Sequence, residues 1–499
     1  MAEPYYLTTA ISYPNGEPHI GHAYEAIAAD VMARFQRSQG RDVRFQTGTD
    51  EHGLKMAQAA RAQGVEPREL ATQMSLKFKA MCDELDVSYD RFIRTTDPDH
   101  YRASAAIWTA MAKRGDLYLD RYEGWYSVRD EAFYDEDELQ AGADGNKLSP
   151  HGTPVEWTVE ESWFFRLSNY QQPLLEHYAA NPEFIRPESR RNEVLRFVEG
   201  GLKDLSVSRT SFDWGIPVPG SPDHVMYVWL DALTNYLTGV GYPDGGDSYR
   251  KYWPADCHLI GKDVVRFHAV YWPAFLLSAG LPLPRMIYGH GHLLARGEKM
   301  SKSVGNVVDP LSMARTYGVD ALRYILMREV SFGQDGSVSE EALVTRVNAE
   351  LANSFGNLAQ RSLSMVHKNL AGIIPDKGEE IEDVALLAHV GQCCHSLATE
   401  FDRFAFAAGI EAWMSGVFAC NAYVDTMAPW GLKKSDPERM AQVLGTVVEA
   451  VRLLGTAVAP VVPQSSARLL ALIESGAEGA PIAAPTPIFP RLEFVAAEQ

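Results

Sequence analysis

The opening of the chain constrains the fold more than any other stretch. YYLTTAI is a short, β-leaning run, and SYPNGEP is turn chemistry with Pro14, Asn15, Gly16 and Pro18. From His19 to about Ser38, Ile20, Ala23, Ile27, Val31 and Phe35 recur at helical spacing, and Gly40 stops the helix. DVRFQTGTD reads as a second short strand ending in a glycine-containing loop. This βαβ rhythm predicts an α/β fold, a doubly wound parallel sheet whose ligands sit at the carboxyl ends of the strands.

The rhythm is interrupted and then resumes. Helices continue to about residue 114, after which Leu117 to Pro219 is aromatic and acidic, with short strand-like pieces (GWYSVRDEAFY, GTPVEWTVEESWFFRL) between Gly and Pro turns. This stretch reads as an insertion between two halves of the α/β domain. HVMYVWLDALTNYL, CHLIGKDVVRFHAVYWPAFLL and MIYGHGHLL bring the rhythm back. From about Ala349 onward amphipathic helix is nearly continuous, with breaks near Gly372–Gly378 and around Ser435 and Asp436, which predicts a helical bundle.

Composition excludes several classes of function. Across 499 residues, 46 Lys and Arg stand against 65 Asp and Glu, a net charge of −19, so a general basic coat for nucleic acid is excluded and any such site is a local patch. Five cysteines (Cys82, Cys257, Cys393, Cys394, Cys420) form neither a disulfide framework nor a C-x-x-C pair. The opening residues lack signal and transit character, and no apolar run reaches membrane-spanning length. A cytoplasmic protein with no membrane partner is expected.

Two motifs carry chemistry. His19-Ile20-Gly21-His22 opens the first helix, where exposed amides and the positive dipole end attract phosphate, two histidines can bond phosphate oxygens, and Gly21 permits close backbone approach. Lys299-Met300-Ser301-Lys302-Ser303, between Gly297 and Gly305, is a cationic loop suited to neutralising pyrophosphate as charge builds up. Either motif alone reads better as a histidine-bearing turn or a basic surface loop. Their joint occurrence in this order is improbable by chance.

HIGH followed by KMSKS resembles the signature pair of class I aminoacyl-tRNA synthetases. TTAISYPNGEPHIGHAYE, TGTDEHG, YVWLDALTNY, GKDVVRFHAVYWPA, NLAQR and APW, spread over nearly the whole chain, narrow the resemblance to the methionyl-tRNA synthetases. The resemblance implies activation of L-methionine by ATP with Mg2+, and transfer of the methionyl group to elongator and initiator tRNA(Met). It places the methionine pocket at Ala10, Ile11, Tyr13, Asp50, Trp229, Ala232, Leu233, Tyr236 and His268, with Asp50 holding the ammonium group. An apolar, ring-lined slot suits a polarizable thioether. Trp229, Ala232 or Leu233, and Tyr236 fall on one helical face, which on spacing alone is more often core than pocket. Leu233 stands where some relatives carry proline.

For ATP the resemblance implies His19, Gly21, His22, Glu25, Gly261, Asp263 and Lys302, with His19, His22, Lys299 and Lys302 as the catalytic group around the phosphates. It divides the chain into a Rossmann-type catalytic domain (1–116 and 220–290) split by a connective insertion (117–219), a KMSKS-containing linking segment (291–348) and a helical anticodon-binding domain (349–499). The residues after 350 hold 10 Lys and Arg against 16 Asp and Glu, so tRNA recognition there should rest on splayed bases stacked on rings and read at their edges. The implied anticodon contacts are Asn357, Arg361 and Trp430. Lys433 and Lys434 read first as a solvated surface pair and second as a phosphate contact.

Many relatives carry cysteine knuckles that hold zinc in the insertion. Residues 115–219 contain no cysteine, so no structural zinc is expected. No dimerisation module follows PIFPRLEF, and a monomer is the simplest expectation. A class I ligase for cysteine would require zinc ligands that are missing. A simple nucleotidylyltransferase would not need the helical tail, and a silent RNA-binding relative would not need both histidines, both lysines, Asp50 and Asp263.

Overall fold

The computed structural model describes residues 2–130, 132–142, 145–295, 298–299, 308–476 and 479–494. The chain divides into two compact units: Met1–Pro18, Gly40–Asp83 and Val87–His290 form one, and His19–Gln39, Glu84–Asp86 and Gly291–Gln499 form the other.

The first unit is built on six strands, β1 (Pro4–Thr9), β2 (Asp42–Thr49), β3 (Arg91–Arg94), β4 (Ile185–Arg186), β5 (Cys257–Gly261) and β6 (Ile287–His290). All neighbours are parallel, in the order β3-β2-β1-β5-β6-β4. Leu7 lies opposite Phe45 on one side and Cys257 on the other. Tyr5 through Thr9 are all buried, as expected of a central parallel strand covered on both faces. Helices Pro98–Arg114, Val228–Thr238 and Trp272–Ala279 supply Ile107, Trp108, Tyr236, Leu237, Trp272 and Phe275 to the same core as Tyr6 and Ile260. The strand order reverses between β1 and β5, and the crevice at the carboxyl ends of such a pair is where doubly wound folds bind ligands.

The aromatic, acidic stretch is an antiparallel sheet around two long strands, Leu117–Ser127 and Glu156–Phe165. It is not wholly separate from the central sheet. Ile185 and Arg186 pair in parallel with Ile287 and Tyr288 to make the edge strand β4. Two residues have no periodicity to read, so this edge is fixed by tertiary pairing alone.

In the second unit, helix Ile20–Ser38 is stopped by Gln39 and by Gly40, the latter at φ +81°. Its Asp30 is wholly buried against Arg323 at 2.6 Å, and Arg323 also donates to the carbonyls of Leu85, Pro460 and Val461. A π-helical stretch, Val347–Gly356, runs into helix Asn357–Asn369, and helices Ile381–Asp402, Phe406–Met427, Pro437–Val458 and Pro463–Glu474 complete the bundle. Trp413 Nε1 donates to the Leu454 carbonyl at 2.9 Å, and the buried Asp383 carboxylate pairs with Arg439 and Tyr423. Among the described residues, only Pro437–Val458 is long and apolar enough to cross a membrane, and its Val443, Leu444, Val447, Val451 and Leu454 are buried inside the bundle.

Candidate active site

The carboxyl ends of β1, β2 and β5 feed one cavity of about 230 Å3 in the first unit. Ala10, Ile11 and Tyr13 follow β1, and Asp50 follows β2. Val228, Trp229, Ala232, Leu233, Asn235 and Tyr236 come from helix Val228–Thr238, and Val264 and His268 follow β5. All nine residues that the family resemblance assigns to the methionine pocket line this one cavity.

The loops are braced by their own backbone. Asp50 N–H donates to the Ser12 carbonyl at 2.9 Å, which ties the end of β2 to the loop after β1. Tyr13 Oη accepts the Met56 N–H at 3.0 Å, and the Lys55 ammonium lies 5.1 Å from the centre of the Tyr13 ring. Next to Asp50, the buried Glu51 receives two bonds from Arg94, at 2.7 and 2.9 Å, and the hydroxyls of Thr49 and Thr96. The Asp50 carboxylate therefore rises from a loop with little freedom.

The apolar wall is a set of rings. Trp229 stacks on Phe267 with centroids 3.8 Å apart and planes 5° from parallel. A π-helical turn over Phe267–Tyr271 sets Phe267 and His268 in place, a device that recurs at functional sites. Tyr236 stacks on His258 at 4.0 Å and donates its hydroxyl to His268 Nε2 at 2.6 Å. His268 Nδ1 faces the Val264 carbonyl at 2.9 Å, so it carries the ring proton and Nε2 accepts. Burial pushes His268 down to about 4, and the carbonyl only partly offsets it. His258 is pushed well down by burial and by its neighbour His268. Both imidazoles are neutral at pH 7, so this wall of the cavity presents uncharged rings.

The sequence reading missed Lys55, Arg129, Asp130, Val228, Asn235 and Val264 in the lining. Arg129 and Asp130 come from the insertion, where Asp130 accepts hydroxyls from Ser149 and Thr153, both at 2.6 Å, and from Tyr134 at 3.1 Å. Burial acts to raise Asp130, and these donors outweigh it and hold the carboxyl below its usual range. No motif marks these residues, because the fold alone brings the insertion to the cavity.

The phosphate-binding candidates belong to the second unit. His19 is the N-cap of helix Ile20–Ser38: its Nδ1 accepts the Gly21 N–H at 3.1 Å, and His22 Nδ1 accepts the His19 N–H at 3.1 Å. The two rings lie 3.8 Å apart. With both Nδ1 atoms accepting, each ring in its neutral form carries its proton on Nε2. A side chain at Gly21 would place its Cβ 2.9 Å from His19 Cε1, so glycine is what allows the ring to fold over the helix end. Glu25 is half-buried one turn further on.

In the first unit, Gly261 ends β5 and Asp263 is exposed in the short turn that follows. Lys299 belongs to strand Glu298–Lys299, which pairs antiparallel with Leu293–Ala295. Lys302 lies outside the described residues, as does the side chain of Lys299. In the bundle, Arg361 and Trp430 meet, with the guanidinium 5.5 Å from the exposed indole, and exposed Asn357 precedes Arg361 by one helical turn. Ala428 in the left-handed region and Pro429 at the next helix start turn the chain so that Trp430 faces solvent.

Comparison with known proteins places the chain. The family model described as tRNA synthetases class I (M) matches residues 5–363, and that described as the anticodon binding domain of methionyl tRNA ligase matches residues 374–486. Fold and site thus define a class I aminoacyl-tRNA synthetase. Methionine–tRNA ligases of Brucella suis and Mycobacterium bovis are each 55% identical to it, over 98% of this chain and 98% of theirs. The solved Mycobacterium tuberculosis methionyl-tRNA synthetase in complex with methionyl-adenylate is 54% identical and superposes with a TM-score of 0.94, covering 98% of this chain and 100% of that one. The chain belongs to the methionine–tRNA ligase family.

Proposed function

We propose how this chain carries out the work of its family. As a methionine–tRNA ligase it activates L-methionine with ATP to methionyl-adenylate, then transfers the methionyl group to the terminal ribose of tRNA, releasing AMP and pyrophosphate. The observation that carries the reading is the cavity itself: it brings the Asp50 carboxylate and the neutral rings of Trp229, Tyr236 and His268 into one lining, while the second lining carboxylate, Asp130, is taken up by the hydroxyls of Ser149, Thr153 and Tyr134. Asp50 takes the substrate ammonium, and the cup takes the thioether with Ala10, Ile11, Tyr13, Ala232 and Leu233. An ionised lysine- or arginine-like side chain finds no counter-charge among those rings.

ATP enters as its Mg2+ complex, as substrate. His19 and His22 donate from Nε2 to its phosphates beside the helix N-terminus, and Lys299 and Lys302 neutralise the departing pyrophosphate. Gly21 and Gly261 give the nucleotide room, while Glu25 and Asp263 take its ribose side. No side-chain nucleophile is required: the methionine carboxylate attacks the α-phosphate, and alignment with positive donors does the rest. Asn357, Arg361 and Trp430 read the anticodon of both initiator and elongator tRNA(Met). Residues 1–116 and 220–290 serve catalysis, together with the edge strand from the insertion 117–219. Residues 291–348 link this domain to the anticodon-binding 349–499. The chain acts as a cytoplasmic monomer without structural zinc. Incubation with methionine, ATP and tRNA tests the whole reading: methionyl-tRNA and AMP should form in equal amounts, and adenylate without charged tRNA would contradict it.

A further inference from the structure

Behind the cavity lies a polar cluster that the reaction just described does not use. Asp231 is wholly buried, and both its oxygens are held by histidine: Oδ2 by His52 Nδ1 at 2.6 Å and Oδ1 by His100 Nε2 at 2.7 Å. His52 and His100 are buried as well. Each spends its second nitrogen on another partner, His52 Nε2 on the Tyr101 hydroxyl at 3.0 Å and His100 Nδ1 on the Thr238 hydroxyl at 2.9 Å. The three residues come from three different elements: the loop after β2, helix Pro98–Arg114 and helix Val228–Thr238.

Packing alone does not call for a carboxylate here. An apolar side chain of similar volume fills the space without the desolvation cost of a buried charge. What the carboxylate supplies is direction, since its two oxygens fix two rings at hydrogen-bonding distance. His52 is two residues beyond Asp50, and Asp231 lies between Trp229 and Ala232, both of which line the cavity. The bridge from His52 to Asp231 therefore joins the loop bearing the carboxylate anchor to the helix bearing the ring cup. His100, bonded also to Thr238 at the end of that helix, holds its rotation from the other side.

We propose that Asp231, gripped by His52 and His100, is a positioning residue that sets the span between Asp50 and the Trp229–Tyr236 face, and so selects an amino acid whose ammonium group and thioether are separated by that span. The proposal rests on methionine being the occupant of the cavity. Asp231 touches no substrate; its effect passes through the two elements it ties together.

The two histidines use different nitrogens, and this gives a test that a general loss of packing cannot imitate. An asparagine amide nitrogen sits at the reach of histidine Nδ1, and a glutamine amide nitrogen at the reach of Nε2. His52→Asn and His100→Gln should therefore keep the bond to Asp231, whereas His52→Gln and His100→Asn should lose it. In methionine-dependent ATP–pyrophosphate exchange with the full chain, the two mismatched variants should raise KM for methionine by about fivefold or more. KM for ATP should stay within about twofold, and the matched variants should lie within about twofold of wild type. Equal behaviour of Asn and Gln at each position, or a parallel rise in both KM values, would overturn the proposal. An absence of methionine-dependent exchange in the wild-type chain would instead overturn the assignment of methionine to the cavity.

Discussion

The Tyr236 hydroxyl donates to His268 Nε2 across 2.6 Å, while Nδ1 of the same ring is held by the Val264 carbonyl at 2.9 Å. One polar side chain thus stands deep in an apolar cup with both nitrogens committed, and it stays neutral there.

That neutrality has a consequence for stability. Burial holds His268 at about 4 in the folded chain, while an unfolded histidine titrates near its ordinary value of 6.5. Between those values the unfolded state binds the extra proton, so stability rises with pH. The contribution is complete above about pH 6.5 and is lost on acidification towards pH 4, by about 3 kcal/mol in all. His268→Gln should remove about 2 kcal/mol of the stability change between pH 7 and pH 5 in urea unfolding. An unchanged slope in the variant would mean that the ring is not held neutral by burial.

Gly21→Ala separates function from stability. Alanine favours a helix over glycine by about 1 kcal/mol, yet its Cβ would stand 2.9 Å from His19 Cε1 and push the ring off the helix end. The thermal midpoint should hold or rise while the adenylation rate falls by about tenfold or more. A variant with full activity would show that the His19 ring position does not matter.

Asp50→Asn leaves the size of the anchor unchanged and removes its charge. A charge-assisted hydrogen bond contributes about 1.5–3 kcal/mol, so KM for methionine should rise by about tenfold or more with KM for ATP little changed. If both rise together, Asp50 shapes the site rather than binding the ammonium group.

Much of this cavity was legible through the family resemblance, because its residues fall inside contiguous motifs. Trp229, Leu233 and Tyr236 sit together in YVWLDALTNY on one helical face, which periodicity alone reads as core, and Asp50 stands at the end of a strand signal in TGTDEHG. What escaped is long-range. Asp231 and His52 are 179 residues apart in the chain, and each alone reads as an ordinary polar residue. Arg129 and Asp130 reach the cavity only because the insertion folds back, and the edge strand of two residues carries no pattern of its own. Lys302 rests on its motif alone and lies outside the described residues.

Trp430→Ala should act on tRNA only. Stacking of a base on an aromatic ring is worth about 1–3 kcal/mol, so kcat/KM for tRNA charging should fall about tenfold to a hundredfold while methionine-dependent pyrophosphate exchange stays at the wild-type rate. A matching loss in exchange would show that Trp430 supports the fold rather than reading a base.

A neutral ring cup and the Asp50 carboxylate select methionine for activation on ATP. ATP–pyrophosphate exchange with methionine, cysteine and isoleucine in parallel tests this selection most directly, with Lys302→Ala as a second sample. Methionine should support exchange far better than either rival, and the lysine variant should lose about tenfold or more, roughly 1.4 kcal/mol of barrier lowering. Exchange driven best by cysteine, or none with any of the three, would contradict the account.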